Sequence, residues 1–175
     1  MQALAGYTQA IRSSLQAVLC LREFPSEIIE KQSKPEIELA STDKEKKLLL
    51  MNPIVLARNE KEKCLIESSI NSVRISFCFK KTDELDTLIS KKFGKFFSLR
   101  AELFEVLRRK PLDGYDVTFL VTSTHLEKFE KNKLIEFFIE FVENFDKDVS
   151  EIKLNIITQT RVAASYFMNE LAGNQ

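Results

Sequence analysis

The sequence predicts an α+β domain of two layers, in which one antiparallel sheet is covered by helices in the order α-β3-α-β2-α and a long C-terminal helix projects from the rest. Three observations carry this. Residues 73–80 alternate strictly, with Val73, Ile75, Phe77 and Phe79 on one parity and Arg74, Ser76, Cys78 and Lys80 on the other. Period two makes a strand with one wet face, and a sheet wetted on one side is normally antiparallel. Stretches of this kind come in runs, three and then two, with helical periods before, between and after them. From residue 126 to 171 apolar side chains recur every three or four positions, with neither Pro nor Gly until Gly173.

The elements follow in order. Leu4, Tyr7, Ile11, Leu15, Val18 and Leu19 form one helical stripe over residues 3–24, which Pro25 ends. The polar stretch 32–47 has no sustained period and reads as a surface connection. LLLMNPIVLA, 48–57, is apolar on both parities with Pro53 inside, which fits a buried or bulged strand that cannot donate at that point. KCLIES and VRISFCFK supply two further strands, and SINS between them supplies turn residues. Thr82 is placed to cap the next helix, with Asp83 and Glu84 in its first turn. Its buried stripe is Leu85, Leu88, Ile89, Phe93, Phe96 and Phe97, and Gly94 weakens it by about 1 kcal/mol relative to Ala. Residues 103–123 read as a second hairpin turning between Pro111 and Gly114.

The last period is longer than the domain that carries it. A helix of roughly 45 residues spans on the order of 68 Å, whereas a compact chain of this size is roughly 40 Å across. Its first apolar cluster, residues 134–142, can cover the sheet; the second, residues 162–168, needs another protein to cover it if it projects. A competing reading breaks the helix near Asp148, where D-V-S-E resembles a capping box and NIITQT forms helix poorly. Continuity is favoured because Phe145, Val149, Ile152 and Ile156 keep phase through that point.

Composition narrows the chemistry. The 175 residues make a single domain, 1–175, and 26 Lys and Arg against 26 Asp and Glu argue against a nucleic-acid or general polyanion binder. Three widely spaced cysteines, Cys20, Cys64 and Cys78, indicate neither a disulfide framework nor a zinc site, and free thiols suggest a reducing, cytoplasmic setting. The N-terminal stretch does not resemble a signal peptide, and no segment is expected to span a membrane. His125, the one histidine, starts a helix and reads as a surface or capping residue. FGKFF lacks phosphate-loop spacing, and Glu136, Glu140 and Glu143 read as a solvated face. No catalytic, cofactor-binding or metal-ligating residue is therefore expected. The basic features are residues 58–63, 91–95 and 108–110, and Arg108, Arg109 and Lys110 suit contact with an acidic protein surface.

LQAVLCL at 15–21, RNEKEK at 58–63, SINSVR at 69–74 and LRRKPLDGYD at 107–116, in this order and spacing, resemble the 20-kilodalton subunit, subunit four, of the actin-related protein 2/3 complex. The resemblance runs from about Tyr7 to Leu171. It departs in a longer charged loop at 40–47, a Phe-rich stretch at 93–97 and the tail AGNQ. It implies a non-catalytic structural subunit that pairs with the larger 34-kilodalton subunit, the long C-terminal helices lying antiparallel, with the other complex subunits built around that core. The interface residues it implies are Val149, Ile152, Ile156, Ala163, Tyr166, Phe167 and Leu171. It further implies that the core rests on the side of an actin filament from which a branch grows. The filament-facing positions would be Arg58, Arg108, Arg109, Lys110 and Arg161, with the 58–63 loop sharing a surface with the 108–110 corner. Two alternatives stay open: a homodimeric chaperone-like binding module of the same layout, and a small phosphate-ester enzyme using the arginine cluster, which lacks a base.

Overall fold

The computed structural model describes residues 3–20, 52–69, 72–99, 106–108 and 110–173, with Cys20, residues 96–99, Phe167 and residues 170–173 described by backbone alone. Helix α1 (Leu4–Cys20) precedes strands β1 (Ile54–Asn59), β2 (Glu62–Ser68) and β3 (Ser72–Cys78). Helix α2 (Glu84–Leu99), strand β4 (Val117–Thr122), the short helix α3 (Ser123–Lys128) and helix α4 (Lys131–Gly173) complete the order. The strands form one antiparallel sheet, β1-β2-β3-β4, and the architecture is α+β.

The core lies between one face of this sheet and two helices. Cys64, Ile66, Ile75, Phe77, Phe119 and Val121 meet the α1 stripe of Tyr7, Ile11, Leu15 and Val18 and the α4 residues Leu134, Ile135, Phe138 and Ile139. Phe119 sets its edges against the rings of Phe137, Phe138 and Phe141 at 5.1–5.9 Å. α1 lies along α4, and Arg12 grips Glu136 through two hydrogen bonds of 2.9 and 3.0 Å on the outer side.

The opposite face of β3 is not wet, which corrects the reading of its alternation. Every residue of β3 is buried. Its polar side chains are paired instead: Arg74 Nε donates to Glu67 at 2.7 Å, Ser76 shares a hydrogen bond with Thr118 at 3.0 Å, and Cys78 Sγ donates to the Gly114 carbonyl at 3.0 Å. Residues 111–115 lie over this face, where the Leu112 N–H donates to Thr118 Oγ1. Alternation here records hydrogen-bonding side chains on a covered face.

Other boundaries shift for identifiable reasons. β1 starts after Pro53 and is an edge strand with Val55 56% exposed, so the buried reading does not hold, and its register shift lies between Ala57 and Asn59, at the far end from Pro53; residues 48–51 lie outside the described part. The first arm of the second hairpin is a single bridge, Leu107 to Phe119, among the described residues. Its turn closes one residue later than Pro111–Gly114. Tyr115 donates to the Leu112 carbonyl at 2.9 Å, and Gly114 takes the positive φ of +84° that a type II turn requires at its third residue. The α2 cap is Asp83, whose carboxylate accepts the Asp86 N–H at 2.8 Å, while Thr82 hydrogen-bonds to Asp86. In α2, Ile89 is buried and Leu85 and Phe93 pack on the core, but Leu88 is exposed; the Phe96 and Phe97 side chains lie outside the described part. Gly94 is there for clearance, since a Cβ would stand 3.3 Å from the Asp116 carbonyl oxygen.

α4 is one helix of 43 residues, about 64 Å long. It starts at Lys131 rather than Leu126, because extended backbone at Phe129 separates it from α3. There is no break at Asp148. The Ser150 and Thr160 hydroxyls donate to carbonyls four residues back, at Asp146 and Ile156, which satisfies them inside the helix without ending it.

Candidate interaction surfaces

Two surfaces carry the functional expectations: the end of α4 and the basic side chains at one end of the sheet. α4 leaves the domain at a definable point. Val149 is 4% exposed and belongs to the domain's own core, and Ile152 packs partly against it. Lys153 then ties the helix to the start of α2, with its Nζ on the carboxylate of Asp83 and 3.3 Å from that of Asp86. That contact holds the Asp83 carboxyl below its ordinary range. Burial alone would raise Asp86, but hydrogen bonds from Thr82 and Lys153 outweigh it and lower that carboxyl as well.

Beyond Lys153, every side chain described from Leu154 to Asn169 is exposed. Leu154, Val162, Tyr166 and Met168 each show more than three-fifths of their surface. Arg161 is the single charged residue in that stretch. Of the seven expected interface residues, Ile156, Ala163 and Tyr166 stand on this projecting part. Phe167 and Leu171 lie there by backbone, their side chains outside the described part. Val149 and Ile152 lie at the root, so the surface free for a partner begins after them. The sequence marks Asp83 only as a first-turn anion and gives no sign of Asp86 or Lys153 as its partners, since Lys153 lies 70 positions away.

At the basic end, Lys63 pairs with Cys78 and Phe77 with Val117, so the β1–β2 turn and residues 108–116 sit at the same end of the sheet. Lys63 Nζ lies 5.4 Å above the Tyr115 ring. Arg108 donates its backbone N–H to the Thr118 carbonyl at 2.9 Å and is half-buried, Lys110 is exposed, and Arg109 lies outside the described part. Arg58 turns toward the helices instead. Its Nη1 is 2.9 Å from Asp146 on α4 and 3.4 Å from Glu62. Asn59 donates to Glu62 at 3.3 Å and accepts the Lys61 N–H at 2.9 Å, which closes the turn. Burial raises the Glu62 carboxyl and the Tyr7 phenol near it, Arg58 opposing both. Arg161 stands about 18 Å farther along α4 than Val149.

Among the described residues no group of three His, Cys, Asp or Glu side chains could hold a metal ion, and no helix is long and apolar enough to cross a membrane. His125 Nδ1 accepts the Thr122 N–H at 3.1 Å, a capping role. Burial pushes the Cys64 thiol far up, which keeps it protonated and inert.

The sequence matches the family described as ARP2/3 complex 20 kDa subunit (ARPC4) over residues 1–170. It is 46% identical over 166 residues to the actin-related protein 2/3 complex subunit 4 of Dictyostelium discoideum, which spans 95% of this chain and 96% of that protein. Against the probable actin-related protein 2/3 complex subunit 4 of Caenorhabditis elegans the identity is 47% over 165 residues, 94% and 95% of the two chains. Against the actin-related protein 2/3 complex subunit 4 of Saccharomyces cerevisiae it is 43% over 169 residues, 97% of each. Identity of this depth, running nearly end to end in each comparison, exceeds what a shared fold alone produces, and the chain belongs to the ARP2/3 complex 20 kDa subunit (ARPC4) family.

Proposed function

We propose that this chain is a non-catalytic structural subunit of the actin-related protein 2/3 complex, working in the cytoplasm at the actin cytoskeleton. It pairs with the larger 34-kilodalton subunit through the part of α4 beyond Lys153, and the pair forms a core for the other complex subunits. Its cations at Arg108, Arg109, Lys110 and Arg161 meet the acidic side of a pre-existing filament and support nucleation of a branch.

The observation that carries this reading is the exit of α4 from its own domain with Leu154, Val162, Tyr166 and Met168 uncovered. Apolar surface held in water costs about 25 cal/mol per Å², so a second protein lying along this rod gains what the domain cannot supply itself. Co-expression tests it. The chain alone is expected to be poorly soluble, and the chain with the larger subunit is expected to elute as a stable one-to-one complex. A well-behaved homodimer would instead support the chaperone-like alternative. Charge reversal at Arg108 and Arg109 is expected to leave assembly intact and to weaken filament co-sedimentation, with the difference from the unaltered complex largest at low salt and shrinking as salt rises. Loss of assembly in that variant would assign those arginines to packing between subunits.

A further inference from the structure

We infer that Arg58 serves filament attachment as a positioning residue, holding the β1–β2 turn to α4 through Asp146 and Glu62, and that its charge is not itself offered to the filament. The inference rests on the proposed filament-binding role.

The geometry argues against a direct contact. One guanidinium nitrogen faces carboxylate oxygens of two residues, Asp146 at 2.9 Å and Glu62 at 3.4 and 3.5 Å. The Arg58 side chain is 14% exposed and that of Glu62 8%. A cation shared by two carboxylates leaves no excess positive charge to attract an acidic surface. What the cluster does is mechanical. Glu62 opens β2 and Asp146 lies on α4 seven positions before Lys153. The ion pair therefore joins a corner of the sheet to the helix just before the rod departs, and it fixes the basic end of the sheet relative to that rod. Without the guanidinium, Glu62 and Asp146 confront each other, poorly solvated, and the turn has to move away from α4.

The test uses the assembled complex with two variants of this chain, Arg58→Met and the charge-balanced Arg58→Met/Glu62→Gln/Asp146→Asn. Both are read by hydrogen exchange at residues 59–62 and by co-sedimentation with actin filaments. The single variant is expected to exchange about tenfold faster in the turn and to bind filaments more weakly. The triple variant, which removes the stranded carboxylates but does not restore the cation, is expected to return both readings to within about twofold of the unaltered complex. A triple variant with normal exchange but filament binding as weak as the single variant would make Arg58 a direct contact and overturn the inference. Failure of the triple variant to assemble would overturn it too, because a neutral cluster of similar volume should hold the turn. If the unaltered complex does not bind filaments, the functional reading fails, and the exchange comparison alone decides whether Arg58 holds the turn.

Discussion

Substituting Val149→Ala and Tyr166→Ser separates the two parts of α4, which the apolar seam alone runs together. Val149 is buried in the free chain. Removing two of its carbons forfeits about 1.6 kcal/mol of transfer free energy and adds a cavity term, for about 2 kcal/mol in all. Since about 1.4 kcal/mol is tenfold in an equilibrium, the core strand β3 should open roughly 30 times more often. Tyr166 is 70% exposed in the free chain. Its replacement should change the domain's own stability by no more than about 0.5 kcal/mol. As an aromatic anchor of the proposed interface, however, it should contribute at least about 2 kcal/mol to association, a loss of about 30-fold in affinity. Hydrogen exchange at the β3 amides and the dissociation constant of the two-subunit complex, measured by dilution of labelled protein, read the two effects separately. The expected pattern is a crossing: Val149→Ala accelerates exchange and leaves affinity within about threefold, and Tyr166→Ser does the reverse. If Tyr166→Ser leaves affinity unchanged, the rod does not carry the interface. Equal loss of affinity from Val149→Ala without faster exchange would mean that the root of α4 is itself a contact.

Three further outcomes follow from the same geometry. Phe145 stacks on Phe79 with centroids 3.6 Å apart and meets the edge of Phe93 at 5.3 Å; Phe145→Ala should cost about 4 kcal/mol and lower the thermal midpoint by about 10 °C in a calorimetric scan. Gly114 has open space around its Cα but a φ of +84°, so Gly114→Ala should cost about 1–2 kcal/mol through backbone strain alone, measured by denaturant titration. Two sets of carboxylates should respond to acid with opposite signs. The Asp83 and Asp86 carboxyls are lowered from 3.8, so their contribution is complete above that value and fades as pH falls through the lowered values in the fold. Glu62 is raised from 4.5 by burial, so its contribution is complete below 4.5 and is lost as pH rises through its raised value. Exchange at the start of α2 should therefore quicken in acid while the Glu62 turn tightens.

The parts legible in the sequence were those that local periodicity reports. The α1 stripe, the pairing of β2 with β3 and the unbroken α4 each rest on side chains a few positions apart. Contacts made at long range leave no such trace. Arg74 read as solvated because parity shows polarity and not water, and its partner Glu67 lies on the neighbouring strand. Arg58 read as a surface cation for the same reason, since Asp146 stands 88 positions away. The start of α4 was misplaced because Leu126 keeps the helical spacing across the extended residue Phe129, where neither Pro nor Gly marks the break. Charge runs marked residues 58–63 and 108–110 and the resemblance added Arg161; in the structure the Arg58 guanidinium turns inward, whereas Lys110 is exposed near the sheet end and Arg161 is exposed on α4.

The rod also constrains what can cover it. Ile156, Ala163 and Phe167 continue the face by which α4 packs on its own sheet, at spacings of seven and four. Leu154, Ile157, Arg161, Ala164 and Met168 follow at three, four, three and four, about 100° around the helix from that seam. Val162 and Tyr166 fall on a third side. Thr158, Ser165 and Asn169 share the remaining side, roughly opposite the first seam, so on the proposed reading a single antiparallel helix in that seam would leave Leu154 and Met168 wet. On that reading the larger subunit, or it together with a neighbour, has to cover more than one side of the rod. If that covering encloses Arg161, an acidic group has to lie within reach of it, because a cation enclosed without a partner would cost more than the apolar contacts on either side of it return. Arg161 can serve the filament only if its stripe opens onto that surface, and its position midway along the stripe makes that opening the point where subunit packing and filament attachment meet.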